Sequence, residues 1–320
     1  MEKETWYDYF LNSLYAKYPK KNQLAEALMD LLFIEREAAY RRLRKDVVFT
    51  FHEIVKIAVT WNISLNEIIG LSVGNIPFFL RPLSYINPSE VELNILKEAT
   101  EFLQKLDPTL EPEYMEICNK LPRSMISGFK WLNQFYLFKW MYQYVNEKET
   151  IPFVKTIVPD EMNKIMVDYY DSAKNISTLS FILDQMLFDF LVCDVRYFHS
   201  IKLITDEEKE LIKADTHALL NQMSIIARQG YFREEKNKIN IYVSQVNIDT
   251  NYYYLYTNAF KVCGINVFNK YEIYTTDNDC VMLIRKWMQL KKRTSILISE
   301  VDEKTRIDYF DRQHKLVDSL

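Results

Sequence analysis

The chain has 320 residues, 48% of them hydrophobic and 26% charged, which is enough for two folded domains and excludes a largely disordered protein. It contains only five glycines and neither a G-x-G-x-x-G nor a G-x-x-x-x-G-K-S/T motif, so we expect no phosphate-binding loop and no cofactor. The formal net charge of −4 excludes a surface that is basic throughout but permits a local basic patch.

The first 70 residues have the hydrophobic spacing and the capping residues of five short helices. The predicted helices are a first that ends before Pro19, a second with an apolar stripe from Leu24 to Leu32, a third over residues 35 to 45, a fourth that begins at Thr50 and a fifth from Ser64 to Gly70. Together they can bury a small core, which predicts an N-terminal domain over residues 1 to 72.

Residues 22 to 45 have the pattern of two helices joined by a tight turn, with a polar face on the second helix. Ala39 and Leu43 share the opposite face, where the small Ala39 lets the two helices approach closely. Arginines on the polar face can contact guanine edges or phosphates. The predicted DNA-binding residues are Arg36, Glu37, Tyr40, Arg41, Arg42, Arg44 and Lys45. We therefore predict that helix 35 to 45 lies in the major groove of double-stranded DNA.

Three segments of this region resemble a known family. LMDLLFIEREAAYRRLR (28–44), FHEIVKIA (51–58) and NISLNEIIG (62–70) are similar to the lambda-repressor-like (Xre/Cro type) helix-turn-helix regulators. The resemblance covers the N-terminal domain only, and it implies a five-helix DNA-binding fold with recognition helix 35 to 45. Phe33 stands where the family often has glycine at the turn. The second helix is also longer than in the family, which would move Gln23 away from the phosphate expected there.

Residues 73 to 87 contain Gly74, Pro77 and Pro82 and lose helical periodicity, which predicts a linker. The helices predicted after it are 88–106, 112–120, 122–147, 160–174, 178–200 and 206–228. Strands are predicted at 238–246, 252–257, 261–268 and 294–299, with helices at 277–292 and 302–319. Residues 88 to 320 are thus predicted to be a C-terminal sensing or dimerisation domain, helical to about residue 230 and α+β after it. The fold class is mainly α.

Other side chains give no sign of a metal or catalytic site. The four histidines, His52, His199, His217 and His314, are far apart in the sequence. Four cysteines without a C-x-x-C pair, and no signal peptide, predict free thiols in the cytoplasm. No apolar stretch approaches the roughly 20 residues of a membrane span. The aromatic run from Phe129 to Tyr144 predicts a buried core helix, or alternatively a ligand pocket or dimer face.

These patterns predict a sequence-specific DNA-binding transcriptional regulator that is not an enzyme and has no catalytic residues. The C-terminal domain would form a homodimer, bind a small-molecule or protein effector, or do both. The alternative is a protein-interaction or ligand-sensing module whose helix-turn-helix docks a protein partner. An enzyme within residues 88 to 320 is a third interpretation, which the missing motifs disfavour.

Overall fold

The computed structural model describes residues 5–65, 68–69, 76–81, 90–144, 151–231, 237–267 and 271–320. The chain divides into two units, Met1–Phe78 and Phe79–Leu320. No helix in these described ranges is long and apolar enough to cross a membrane.

The first unit consists of short helices around one apolar core. Its helices are α1 (Trp6–Lys17), α2 (Lys21–Leu32), α3 (Arg36–Leu43) and α4 (Phe51–Trp61). Apolar positions three or four residues apart share one helix face, and these faces meet in the core. The fully buried side chains include Phe10, Leu14, Leu24, Leu28 and Ile57.

Capping boxes fix where α1 and α4 begin. The Thr5 hydroxyl accepts the N–H of Asp8, whose carboxylate accepts the N–H of Thr5 at 2.8 Å. Thr50 and Glu53 repeat this exchange at the start of α4. Each box satisfies N–H groups that lack partners within the helix, which stabilises the helix start. The box predicted at Thr50 is confirmed.

The third helix is shorter than predicted. It ends at Leu43, because Lys45 has a φ of 67°, in the left-handed region where a helix cannot continue. The predicted fifth helix, from Ser64 to Gly70, lies partly outside the described residues. Leu65 and residues 68–69, which are described, are helical.

The second unit is built on a mixed sheet, with eight strands among the described residues. The strands are β1 (Phe79–Arg81), β2 (Glu113–Cys118), β3 (Thr178–Leu183), β4 (Lys238–Ser244), β5 (Tyr252–Tyr256), β6 (Lys261–Val267), β7 (Tyr271–Thr275) and β8 (Ser295–Leu297). Their order across the sheet is β1-β7-β6-β5-β2-β3-β4-β8. The neighbours β2, β3 and β4 are parallel, and the other neighbouring pairs are antiparallel.

Helices cover both faces of this sheet. They are α5 (Glu90–Gln104), α6 (Arg123–Ile126), α7 (Lys130–Tyr144), α8 (Asp160–Ser172), α9 (Leu187–Ser200), α10 (Asp206–Gln229), α11 (Asn278–Lys291) and α12 (Glu303–Asp318). On one face, α11 packs against Met115 of β2 and Ile182 of β3 through Met288. On the other, Phe181 of β3 and Ile241 of β4 share a core with α7, α9, α10 and α12.

The predicted helices at 112–120 and at the start of 178–200 are wrong, since β2 and β3 occupy these residues. Both strands lie inside the sheet, and residues 179 to 183 of β3 are all buried. β2 (EYMEIC) has a glutamate on each face, and β3 (TLSFIL) is a nearly continuous apolar run, so neither strand has the alternation that identifies a half-exposed strand. Such a run cannot be distinguished from a buried helix by its spacing.

The coarser prediction, a mainly helical chain with an α/β part, is confirmed. The strands predicted at 238–246, 252–257, 261–268 and 294–299 correspond to β4, β5, β6 and β8. β7 was missed, and β1 lies inside the predicted linker 73–87, most of which falls outside the described residues. β1 is short and sits at the sheet edge, where it pairs only with β7.

We expect Leu28→Ala to lower the free energy of unfolding of the first unit by about 2–5 kcal/mol, because it leaves a cavity in the core. Leu28 is completely buried on α2. Urea unfolding of the full chain, followed by circular dichroism, measures the change. Val59→Ala on the exposed face of α4 is the control and should stay within about 0.5 kcal/mol of the wild type. Equal effects of the two substitutions would contradict the described core.

Candidate functional site

The α2 and α3 helices are joined by a tight turn. α2 ends at Leu32 and α3 begins at Arg36, so residues 33 to 35 connect them. Phe33 has a φ of 58° and is 87% exposed, which shows that this position adopts the left-handed conformation that glycine prefers. On the inner side of α3, Ala39 and Leu43 are buried. The two helices are thus joined by a three-residue connection, and the inner face of α3 is packed in the core.

Some of the predicted DNA-binding residues are held by ion pairs within the first unit. The Arg42 guanidinium lies 2.7 Å from the Glu53 carboxylate, and both side chains are largely buried. Arg44 contacts two carboxylates, Glu37 at 2.8 Å and Asp46 at 2.9 Å. Lys45 pairs with the carboxylate of Asp8 on α1, and this contact holds the pKa of Asp8 well below its usual value. These contacts connect α3 to its surroundings, so Arg42 has a structural role.

Arg36 and Arg41 differ from these residues. Both are exposed, and among the described residues neither forms an ion pair. The Arg36 guanidinium lies 6.0 Å from the centre of the Tyr40 ring, and the Tyr40 hydroxyl donates to Asn22 Oδ1 at 2.8 Å. Tyr40 therefore joins the exposed face of α3 to the first turn of α2.

The first turn of α2 is suited to an anion. Its N-cap residue, Lys20, forms no side-chain cap, and the turn contains no acidic residue. A helix N-terminus presents unpaired N–H groups and a positive partial charge, both of which attract phosphate. With Lys20 and Lys21 at its start, this turn and the adjacent Arg36 form a basic surface that we call the α2–α3 surface.

The second unit contains a polar cavity of about 270 Å³ between the sheet and helices α5, α7 and α8. Polar and aromatic residues on strands β2, β5, β6 and β7, and one residue just before β5, form its floor. Residues of α5, α7 and α8 form its roof. The residues that line the cavity include Tyr114, Glu116, Lys120, Ser124, Tyr136, Lys139, Trp140, Tyr169, Asn251, Tyr253 and Glu272. Of these residues, only those within the aromatic run from Phe129 to Tyr144 belong to a segment for which the sequence suggested a pocket.

Glu116 is a buried carboxyl group at the floor of this cavity, with only 8% of its surface exposed. Its Oε2 accepts the Tyr114 hydroxyl at 2.8 Å, and its Oε1 accepts the Asn251 amide at 3.3 Å. Burial raises the pKa of Glu116 to about 7, and the nearby charge of Glu272 acts in the same direction. The two hydrogen bonds oppose this rise only in part. Glu116 therefore changes its charge near neutral pH.

A second carboxylate reaches the same cavity from β7. The Tyr253 hydroxyl on β5 donates to Glu272, and the Tyr253 ring crosses the intervening strand β6 at Gly264. A Cβ atom at Gly264 would lie 2.4 Å from this ring, so only glycine leaves room for it. The close approach at Gly264 is therefore what allows Tyr253 to hold Glu272.

Two lysines lie at another part of the cavity wall. Lys120 follows β2, and burial together with the charge of Lys139 lowers its pKa. Lys139 on α7 is paired with Asp194 of α9. The cavity thus contains two carboxyl groups on its floor and two amines on its wall, one of which is already neutralised by a carboxylate.

The structure also brings together two histidines that the sequence separates. His217 Nδ1 on α10 lies 2.7 Å from His314 Nδ1 on α12, and the two rings are stacked. Burial and the neighbouring ring lower the pKa of His314. Nevertheless, no group of three possible metal ligands occurs among the described residues.

The aromatic run from Phe129 to Tyr144 gave the stronger of two sequence signals for this cavity. Most of it belongs to α7, where Phe135 and Phe138 are core residues while Tyr136 and Trp140 line the cavity. The floor had a weaker signal: Tyr114 and Glu116 are two residues apart, as are Asn251 and Tyr253, so each pair faces one side of an extended chain. This signal was lost because residues 112 to 120 were predicted as a helix.

Comparisons with known proteins give no relative for this chain: no family model, no curated protein and no solved structure matches it.

We expect Glu116→Gln to stabilise the protein above pH 7 relative to the wild type. The folded-state pKa of about 7 exceeds the ordinary value of 4.5, so the folded state binds this proton more tightly. The stabilisation from the bound proton is complete below about pH 4.5 and is lost as the pH rises to 7, a change on the order of 3 kcal/mol.

Urea unfolding at pH 5, 6, 7 and 8 measures this difference. The free energy of unfolding of Glu116→Gln, relative to that of the wild type, should rise at each step and level off above pH 7. Glu210→Gln, an exposed glutamate on α10, is the control and should follow the wild-type pH profile. A constant difference between Glu116→Gln and the wild type at all four pH values would argue against a raised pKa.

Proposed function

We propose that this protein is a sequence-specific DNA-binding transcriptional regulator whose helix α3 enters the major groove. The observation that carries the proposal is the short turn between α2 and α3, with the inner face of α3 buried at Ala39 and its outer face exposed at Arg36 and Arg41. A helix held in this way can present side chains to base edges without disturbing the core.

The contacts divide between the bases and the phosphates. Arg36 lies in the first turn of α3, the part of a recognition helix that contacts base edges, and it can form a bidentate contact with guanine. Lys20, Lys21 and the uncapped N–H groups of α2 suit a phosphate beside the groove. Arg41, at the other end of α3, suits a phosphate on the opposite side. Phosphate contacts would position the domain, and Arg36 would provide specificity.

The proposed regulator binds as a homodimer. A two-fold dimer reads two half-sites about one helical turn, roughly 34 Å, apart. The second unit, with its own core and its own cavity, is the proposed place for dimerisation and for an effector. Cytoplasmic location belongs to the same proposal, since a regulator must reach DNA.

The ion pairs of α3 support a different second candidate, in which the α2–α3 surface docks a protein. Arg44 and Glu37 already neutralise each other, which leaves a mixed surface that an oppositely patterned protein surface could match. Selection from a randomised duplex library at several salt concentrations separates the two candidates. Enrichment of a short two-fold motif supports DNA binding, whereas weak binding without enrichment supports protein docking.

We expect Arg36→Glu combined with Arg41→Glu to weaken binding to the selected duplex by about 100-fold or more, from the loss of two favourable contacts. The salt dependence should also change, because each lost phosphate contact reduces the slope of log K against log salt by about 0.9. Fluorescence anisotropy of a labelled duplex at several salt concentrations measures both quantities.

The matched control carries the same change of charge on the second unit, Arg312→Glu with Lys315→Glu on the exposed side of α12. It should bind the duplex within about twofold of the wild type, since these residues lie outside the proposed interface. If both double variants lose affinity equally, net charge alone explains the binding, and α3 is not the recognition helix.

A further inference from the structure

We propose that the cavity of the second unit binds a primary organic ammonium compound with a short alkyl chain, the ammonium group lying between Glu116 and Glu272 and the chain entering an adjoining apolar chamber. This site is independent of DNA binding and stands whether or not the α2–α3 surface contacts DNA.

The two carboxyl groups define the position of the ammonium group. Each is held by a tyrosine hydroxyl, Glu116 by Tyr114 and Glu272 by Tyr253. Glu116 also accepts the Asn251 amide, and because a carboxylate has about four acceptor positions, these two bonds leave Glu116 capacity for a ligand donor. The rings of Tyr114 and Tyr253 lie nearly parallel with centres 6.2 Å apart, and both line the cavity. An ammonium group has three donors and a compact positive charge, which suits a cavity lined by two carboxyl groups.

Aromatic residues on the roof favour the same ligand. Tyr136, Trp140 and Tyr169 line the cavity opposite the two carboxyl groups of the floor. Ring faces attract organic cations, and the attraction is larger where water is excluded. A cavity with two carboxyl groups, one of them buried, and several aromatic rings is therefore better matched to an organic cation than to a metal ion.

An anionic ligand is less suited to this cavity. It would need to use Lys120 and Lys139, but the positive charge of Lys139 is already matched by Asp194. Burial and the charge of Lys139 also lower the pKa of Lys120, which makes its ammonium form less favourable than that of an exposed lysine. The lining has no further cation to offset the two carboxyl groups of the floor, so its charge balance favours a positive ligand.

The alkyl chain has a place in a second, apolar chamber of about 50 Å³. Tyr114, Ser124 and Tyr169 line both this chamber and the polar cavity, so the two spaces adjoin. Leucine, isoleucine and methionine side chains from β3, β4 and α10 form its other walls. A water-sized group occupies roughly 10–15 Å³ of such volume, so the chamber accepts about four carbon atoms.

The experiment measures the affinity of the full chain for n-butylammonium, n-hexylammonium and n-octylammonium chlorides by isothermal titration calorimetry at pH 8. Affinity should rise about 4-fold for each methylene that enters the chamber, which corresponds to ~0.8 kcal/mol. Sodium octanoate has the same tail with the opposite charge and should not bind. Octanoate binding without octylammonium binding would overturn the proposal, and so would the failure of both compounds to bind.

Substitutions test each end of the ligand. Glu116→Gln and Glu272→Gln should each weaken octylammonium binding at least 10-fold, while the control Glu210→Gln should leave it unchanged. Ser124 lines both spaces, so Ser124→Leu places a larger side chain where they adjoin and should weaken octylammonium binding at least 10-fold but butylammonium binding less than 2-fold. Octylammonium binding that none of the three cavity variants changes would show adsorption elsewhere and would overturn the proposal.

The pH dependence of octylammonium affinity distinguishes a ligand-binding role of Glu116 from a purely structural one. Octylammonium affinity should rise from pH 6 to pH 8 as Glu116 becomes charged, and this rise should disappear in Glu116→Gln. The groups that face Glu116 are Tyr114 and Cys118 on β2, Asn251 before β5 and Glu272 on β7. Burial raises the pKa of Tyr114 and Cys118 well above their usual values, so neither loses a proton in this range.

Discussion

The central position of β2 determines the architecture of the second unit. β2 pairs in parallel with β3 on one side and antiparallel with β5 on the other, so it connects the parallel and antiparallel parts of the sheet. Helices cover both of its faces, and its side chains alternate between two environments. Met115 and Ile117 contribute to the core beneath α11, whereas Tyr114 and Glu116 face the cavity. One strand therefore supports a hydrophobic core and a polar site at the same time.

The layer that covers the other face of the sheet, opposite α11, is also divided into an apolar part and a polar part. Beneath β3 and β4 it is a continuous apolar core, but beneath β2, β5 and β7 it is a cavity lined by the buried Glu116 and the half-buried Glu272. Isolated charges cost several kcal/mol to bury, so such groups persist only where hydrogen bonds hold them. Tyr114, Tyr253 and Asn251 supply those bonds. A buried acid with its pKa near 7 reduces stability at neutral pH, which is typical of a site kept for function rather than for folding.

In the first unit, positive charge on α3 serves two purposes. Arg42 and Lys45 contact acids on α4 and α1, and these ion pairs hold the short helix in its orientation. Arg36 and Arg41 remain exposed, and Arg36 lies near the N-terminus of α2, where no side chain caps the helix. A cluster of cations in the sequence is therefore a poor measure of an interface, because part of it is used inside the domain. The exposed members, rather than the whole cluster, are the ones that can contact a partner.

The sequence alone determined the features that depend on neighbours within about four residues: the helices of the first unit, the Thr50 capping box, the turn at Phe33 and the strands from β4 to β6. It left β2 and β3 undetected, because β2 has a glutamate on each face and β3 is nearly all apolar, so neither sequence alternates between apolar and polar residues. Only the tertiary structure decided which arginines are paired, and only strand pairing brought Glu116, Asn251 and Glu272 to one cavity. Their meeting depends on the order and register of strands far apart in the chain, and no local spacing encodes that order.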